Sequence, residues 1–572
     1  MMNRLRFDRW AYRLGGIVRD YPELYQTLSG VYDRLTGGHF SQLRNIIKNT
    51  PEELLRYPDE KESAGNVLFY SPRNWFTHLG WEIVTAHILR IHGWHPHFIT
   101  CNKGMDLCDS YHFSQNRGEI CSQCSHNTAR FFKLARLEHS RYGDWIHVDE
   151  ARAETAKLLS GRASVDDLKR LVLDGIPLGE LTWLSVVRHL KRVVIKNEDA
   201  FSLERFRAFL ESAVITFRLA QRALEKDWKA VIVCNGKFFG DAIFFALARQ
   251  RGLDVFTYER GLREDTILLA KNAFVVDFDV SEIFAKRNRL SEGESARLDR
   301  YAQGRMSGKG YVINYWPKIL EDRKAIRSRL HLDENKKIAV AFPNITWDTA
   351  VLNREIVFES MFDWLRETIA YYIKHPEAQL VVRIHPAEVR LPFQFYEKMN
   401  DLIRRHFPEL PAHIKIVESA SPISSYTLIA MAEKTLVYTS TLGLEAALQG
   451  KEVVVSARTH YRGKGFTIDP ISREEYFRAL VADAGQEADT IRERARRYAY
   501  ALFFDAHIPF KSVSEKSPGR LDFNLRSLPE LWSGDFPEAG FFGNFPFAGA
   551  EGLLSHKEFQ ISKSPIGKAS GM

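Results

Sequence analysis

Short apolar runs alternate with helical stretches over most of the chain, as in sheets whose strands are buried on both faces between helices. Residues 67–71 (VLFYS), 96–100, 230–234 and 254–258 are such runs in the first half. Residues 336–342 (KKIAVAF), 380–382, 414–417, 435–438 and 451–456 repeat the pattern in the second. Helical stretches end near residues 92, 250 and 374. Residues 150–228 are helical in period throughout, with Leu203, Phe206, Phe209 and Leu210 recurring in SLERFRAFLESAVITFRLAQRAL. They are expected to form a helical layer inserted in an N-terminal domain. The pattern predicts an α/β protein with two Rossmann-type domains, at 61–310 and 311–512. Before them lies a helical segment, 1–60, and after them an irregular tail, 513–572. Residues 277–315, polar and weakly patterned, read as the connection between the domains. The tail, rich in Gly, Pro and Phe, is expected to hold little regular structure.

In open parallel sheets, ligands bind beyond the carboxyl ends of the strands. The residues there carry the candidate chemistry. Arg383, His385 and Pro386 end the strand around Val381. Thr439, Ser440 and Thr441 end the strand at 435–438, and a helix of one or two turns follows and closes at Gly450. The start of such a helix suits a phosphate, through unpaired N–H groups and the helix dipole. In the first half the strand ends are Asn235-Gly236-Lys237 and Glu259-Arg260-Gly261. His78 and Glu82 fall in a presumed loop, 72–82, around the single Gly80. Asn344 and Asp348 follow the strand at 336–342, where ordinary helix capping is the other reading.

Composition narrows the partners. A net charge of +8 on 572 residues favours an anionic partner, with a nucleotide, an anionic lipid surface and nucleic acid all open on charge alone. No apolar run approaches the roughly 20 residues of a membrane span. Without a signal-peptide core at the N-terminus, a cytoplasmic protein is expected. Trp10, Leu14 and Ile17 share one face of a helix whose other side carries Arg4, Arg6, Arg9 and Arg13. That face either lies on an anionic membrane or is simply solvated. No aromatic-basic helix speaks for nucleic acid.

Cys101, Cys108, Cys121 and Cys124 lie within 24 residues, the last two as C-x-x-C, a spacing that lets two thiolates share one metal. A structural zinc is the expectation, with His112 and His126 as substitute ligands. Buried inert thiols and an iron–sulfur cluster are the alternatives.

Three fragments occur in order: Arg383-Ile384-His385-Pro386, then Ser440-Thr441-Leu442-Gly443-Leu444-Glu445-Ala446, then Tyr461-Arg462-Gly463-Lys464-Gly465-Phe466-Thr467. Together they resemble the donor-binding half of bacterial capsule polysaccharide glycosyltransferases of GT-B fold, which include Kdo transferases. Bacterial sialyltransferases share the histidine-proline and serine/threonine motifs. The resemblance implies two domains facing a cleft and a nucleotide-sugar donor, a CMP-sugar such as CMP-Kdo being favoured. It implies a glycan or lipid-linked glycan acceptor, met by peripheral contact with the inner face of the cytoplasmic membrane, and catalysis without a metal. Arg383, His385, Pro386, Ser440, Thr441, Gly443, Glu445 and Asn344 would hold the donor. Glu259 would be the base, and Asn235, Gly236, Arg260 and Gly261 would meet the acceptor. The family carries two acidic residues before the glycine where this chain has Glu259 and Arg260, so Glu264 and Asp265 are alternative bases. A nucleotide-sugar epimerase, a CDP-polyol phosphotransferase and a non-enzymatic binding protein are the competing functions.

Overall fold

The computed structural model describes residues 38–59, 63–111, 113, 115–192, 195–307, 319–348, 351–390, 397–482, 485–517, 520–544 and 551–555. The helix expected around Trp10, Leu14 and Ile17, with Arg4, Arg6, Arg9 and Arg13, lies outside the described residues, as does His112.

The chain forms two compact units. The first takes the described residues up to His189, Asn197–Val275 and those from His507 on. The second takes Leu190–Lys196 and Val276–Ala506.

The first unit is built on β1 (Gly65–Tyr70), β2 (Trp94–Thr100), β3 (His139–Arg141), β4 (Ala230–Val233), β5 (Asp254–Arg260) and β6 (Thr266–Lys271). Their order across the sheet is β3-β2-β1-β4-β5-β6, parallel as far as β5, with β6 antiparallel. Helices α1 (Phe76–Ile91), α2 (Arg117–Ala135), α3 (Ala200–Ala223) and α4 (Phe239–Gln250) connect them. The expected helical layer is present, with Val148–Leu158, Val165–Lys169 and Leu178–Leu190 ahead of α3. Asp199 starts α3 by accepting from Ser202 N, an N-cap bond of the usual kind.

Two sequence expectations change here. Residues 72–82 are not a loop throughout: α1 begins at Phe76, and nearly all of it is buried, as befits a helix apolar all round. Gly80, which looked like a loop glycine, serves packing. A Cβ there would stand 2.8 Å from Leu521 Cδ1 and 3.0 Å from Val513 Cγ1. Those neighbours come from the tail, which carries regular elements in its described part. Val513–Ser517 and Arg520–Phe523 form an antiparallel hairpin against α1, and the helix Pro537–Gly543 buries Phe541 and Phe542. Ile508–Pro509 and Gly552–Leu553 pair with β6. The tail's apolar residues find a partner in α1, so they order rather than wander.

The second unit has β7 (Ile338–Phe342), β8 (Gln379–Arg383), β9 (Ile414–Val417), β10 (Lys434–Val437) and β11 (Glu452–Val455). All are parallel, in the order β11-β10-β7-β8-β9. Helix α5 (Met361–Lys374) packs on one face, where Trp364 Nε1 donates to Tyr476 OH at 2.8 Å in the core. The presumed connection at 277–315 belongs to this unit in its described part. It carries Ser281–Ala285 and Glu292–Met306, the latter opened by a Ser291/Glu294 capping box. Arg287 ties it to Asp505 and, at 3.0 Å, to Glu294.

Both parallel runs have the strand order of a doubly wound fold. The order reverses between β1 and β4 in one unit and between β7 and β10 in the other, and such switch points are where ligands bind.

Candidate functional site

In the first unit, register sets the site. Tyr70 pairs with Val233 and Val233 with Thr257, so β1 and β4 end level while β5 projects three residues further. Glu259 on that projection therefore stands beside the loop after β4. Asn235 Nδ2 donates to Glu259 Oε2 at 3.0 Å, and Arg260 N donates to Glu259 Oε1 at 2.8 Å. His78, on the first turn of α1, bridges the same place. Its Nε2 is 3.8 Å from Glu259 Oε1 and its Nδ1 is 3.8 Å from Cys234 Sγ. Burial, with Arg260 and Arg73 near, pushes His78 down to about 3, so it is neutral at physiological pH. Glu259 keeps a side chain that is 28% exposed.

The neighbours of this carboxylate have other duties. The Arg260 guanidinium pairs with Glu515 of the tail hairpin while also feeling the charge of Glu259. Gly236 (φ +82°) and Gly261 are packing glycines. A Cβ would meet Phe274 Cδ1 at 2.5 Å in the first case, and Thr266 Oγ1 and His507 Cδ2 (2.7 Å) in the second. Glu82 does not face the solvent: Ser71 Oγ and Tyr258 OH donate to it in the interior, and burial raises it to about 7. Glu264 is exposed and Asp265 has a left-handed φ of 51°, both in the turn between β5 and β6. Only Glu259 has the contact with Asn235.

Sequence reasoning missed Arg73, which follows β1 and forms a buried pair with Asp241 of α4 at 2.6 Å. Burial raises Asp241 to about 6, and the guanidinium beside it holds it charged at neutral pH. The pair ties the β1 loop to α4 across the switch point. Its two halves lie far apart in the chain and have no local signature. The same holds for Glu515 and His507, whose Nε2 accepts from Leu262 N at 2.8 Å.

In the second unit, Asn344 after β7 meets Thr439 after β10, Nδ2 to Oγ1 at 3.5 Å, across the switch point. His385 stands at the next strand end. Its Nδ1 accepts from Ala387 N at 3.1 Å, which makes Nε2 the protonated nitrogen. Burial and the charge of Arg383 push it down to about 4, so it is a neutral donor. Pro386, between them, begins the turn in which Val389 N donates to Pro386 O at 3.2 Å.

Arg383 is a correction. Its Nη1 donates to Ile384 O (3.0 Å) and Glu418 O (2.7 Å), and its Nη2 to Ser421 O (3.0 Å). At 3% exposure it braces the loop after β9 instead of offering its charge to a ligand. Glu445 is buried too. Arg305, from the helix Glu292–Met306, pairs with its Oε1 at 2.7 Å, which occupies the carboxylate expected to hold ribose hydroxyls. Helix α6 (Leu442–Ala447) has only 6 residues, which limits its dipole. Ser440 Oγ instead accepts from Leu442 N at 3.3 Å, and the loop is braced by the third fragment, because Tyr461 OH donates to Ser440 O at 2.5 Å. Thr441, half-buried, accepts from Glu445 N through its carbonyl at 3.2 Å. Gly443 makes room for that tyrosine: a Cβ would lie 2.3 Å from Tyr461 OH.

The four clustered cysteines, Cys101, Cys108, Cys121 and Cys124, come together on one cavity of the first unit. Among the described residues no three His, Cys, Asp or Glu side chains are arranged to hold a single metal ion. No helix among the described residues is long and apolar enough to cross a membrane.

Comparison with curated proteins returns no match. Among solved structures, the beta Kdo 2,4 transferase KpsC of Thermosulfurimonas dismutans is 15% identical over 48% of this chain and 79% of its own, with a TM-score of 0.32. The beta Kdo 2,7 transferase of the same organism is 16% identical over 51% and 81%, with a TM-score of 0.30. S. aureus MnaA, in a structure with UDP, is 10% identical over 77% and 92%, with a TM-score of 0.24. Likenesses this weak carry no weight for mechanism, and the fold rests on the two sheets themselves. The sequence comparison is firmer: residues 247–484, which include Glu259, His385 and the Ser440–Glu445 motif, match the family of capsule polysaccharide biosynthesis proteins.

Proposed function

We propose that the protein is a glycosyltransferase of capsule polysaccharide biosynthesis. It moves a sugar from a nucleotide-activated donor to a hydroxyl of a surface polysaccharide or lipid-linked glycan. The observation that supports this most is Glu259, a partly exposed carboxylate at a strand end, held by Asn235 Nδ2 and Arg260 N. A carboxylate so placed can take the proton of an acceptor hydroxyl, a role that usually contributes about 10²–10⁴ in rate. The donor phosphate belongs at the second switch point. There the neutral Nε2–H of His385, Ser440 and Thr441 can meet the charge that develops on the leaving group. Asn344 lies at the same strand ends. No catalytic metal is needed for either step.

A CMP-sugar such as CMP-Kdo is the favoured donor, on the strength of the histidine-proline and Ser/Thr motifs. The acceptor is presented at the inner face of the cytoplasmic membrane, which the net charge of +8 suits. The test is a thermal-shift screen against CMP, CDP, UDP, GDP and their sugars. A ligand at about 100 times its Kd adds about 2.7 kcal/mol of stability. Selective stabilisation by cytidine nucleotides, lost in His385→Ala, is expected. Stabilisation by uridine or guanosine nucleotides alone would overturn the donor, and no response at all would overturn the nucleotide site.

A further inference from the structure

We propose that Cys101, Cys108, Cys121 and Cys124 hold an iron–sulfur cluster in the first unit. All four thiols line one cavity beyond the carboxyl end of β2, with Pro72 of the β1 loop and Arg141 of β3 on its walls. Cys101 follows β2 directly. Cys108 comes after a turn in which Gly104 N donates to Cys101 O at 3.0 Å, with Asn102 and Lys103 at φ 45° and 67°. Cys121 and Cys124 are three residues apart on α2, so they share one face of that helix.

The surrounding fold makes this convergence. Leu107 N donates to Ser212 Oγ of α3 at 3.0 Å, and Tyr111 OH donates to Asp106 O at 2.7 Å. Gly104 lies so close to Tyr142 that a Cβ would stand 2.7 Å from its ring. The cysteine loop is thus pinned on both sides while none of the five cysteines is in a disulfide.

Size chooses the cofactor class. Four thiolates around one zinc, at about 2.3 Å each, bring their sulfurs within about 3.8 Å of one another and leave no space between. Here the four thiols line, together with other side chains, one cavity of about 30 Å³, and no three ligand side chains among the described residues are set for one ion. A core of iron and sulfide is the thiolate-bound group that spans such a gap. Charge agrees, since a cluster on four thiolates is anionic and Lys103 and Arg141 line the cavity, while its one lining carboxylate, Asp106, is paired with Arg117 and Arg152. Bound there, the cluster would cross-link the loop after β2 to α2, beside the loop that follows β1.

This inference is independent of the transferase reading, and metal content tests it without activity. The full chain, produced and purified without oxygen, is expected to be brown. It should carry about two or about four irons with matching acid-labile sulfide, the clusters that four thiolates hold. One zinc per chain in place of iron would overturn the proposal. So would a protein that takes up neither iron nor sulfide when reconstituted with ferrous iron and sulfide. Cys121→Ser, at a half-buried position, should lose the visible absorption while its far-ultraviolet circular dichroism stays that of the wild type. Cys234→Ser, which changes the remaining cysteine, should keep it. A full iron complement in Cys121→Ser would overturn the ligand set.

Discussion

Asn235 Nδ2 donates to Glu259 Oε2 at 3.0 Å, joining the carboxyl ends of two adjacent parallel strands. The bond orients the carboxylate, and the charge of whatever stands at 235 should set its basicity. Asn235→Asp keeps the acceptor that Lys237 N uses at 2.9 Å but places a second carboxylate against Glu259. Like charges raise a carboxyl pKa, so the acidic limb of the kcat/KM profile should move to higher pH. Glu259→Gln should lower kcat by about 10²–10⁴ with an unchanged melting temperature. A kcat within twofold of wild type would remove Glu259 as base.

Gly443 and Tyr461 form a second testable pair. Gly443→Ala forces a methyl to within 2.3 Å of Tyr461 OH, and Tyr461→Phe removes the hydroxyl that holds Ser440 O. Each alone should cost stability, Tyr461→Phe by about 0.5–1.5 kcal/mol for one lost hydrogen bond, since Ser440 O still accepts from Gly443 N at 3.2 Å. In the double variant the clashing atom is gone, so the two costs should add to less than their sum, as contacting residues do. Urea unfolding of the four proteins measures this. Strict additivity would mean that the glycine is there for some other reason.

Both sheets were legible because parallel strands buried on both faces read as unbroken apolar runs, such as Ile338–Phe342. The placement of Glu259, His385 and Ser440 at strand ends was legible because strand ends follow from those runs. The tail was not, because Val513, Leu521 and Phe541 gain order only against α1, some 430 residues earlier in the sequence. Arg383 and Glu445 misled for a related reason. A charged residue at a strand end looks available until its partners are known, and those partners, Ser421 O and Arg305, come from elsewhere in the unit. The Glu264 and Asp265 alternatives needed only the β5–β6 turn to set them apart.

Glu388, just past the histidine-proline motif, should leave a mark on stability against pH. It is buried, accepts from Met399 N and Ser419 Oγ at 3.2 Å each, and burial raises it from 4.5 to about 7. The folded protein therefore holds this proton in a range where the unfolded chain has released it. Its contribution is fully present below about 4.5 and is lost as pH rises towards about 7. Glu388→Gln removes that term, so the variant's melting temperature should gain on the wild type's as pH climbs through this window. Parallel curves for the two proteins would mean that Glu388 titrates normally.

Arg383 and His385, two residues apart, should separate into a bracing role and a binding role. Arg383→Ala strips a hydrogen bond from each of the carbonyls of Ile384, Glu418 and Ser421. Bonds from a charged donor are worth about 1.5–3 kcal/mol each and are not additive here, so a loss on the order of 3 kcal/mol is expected. His385→Asn behaves differently. Its Oδ1 can replace Nδ1 as the acceptor for Ala387 N, which spares the turn, while the Nε2–H of the imidazole is lost. The asparagine variant should melt near the wild type without ligand yet show no nucleotide-induced shift. Arg383→Ala should melt low but retain a shift. The reverse pattern would make Arg383 the phosphate ligand and His385 the brace.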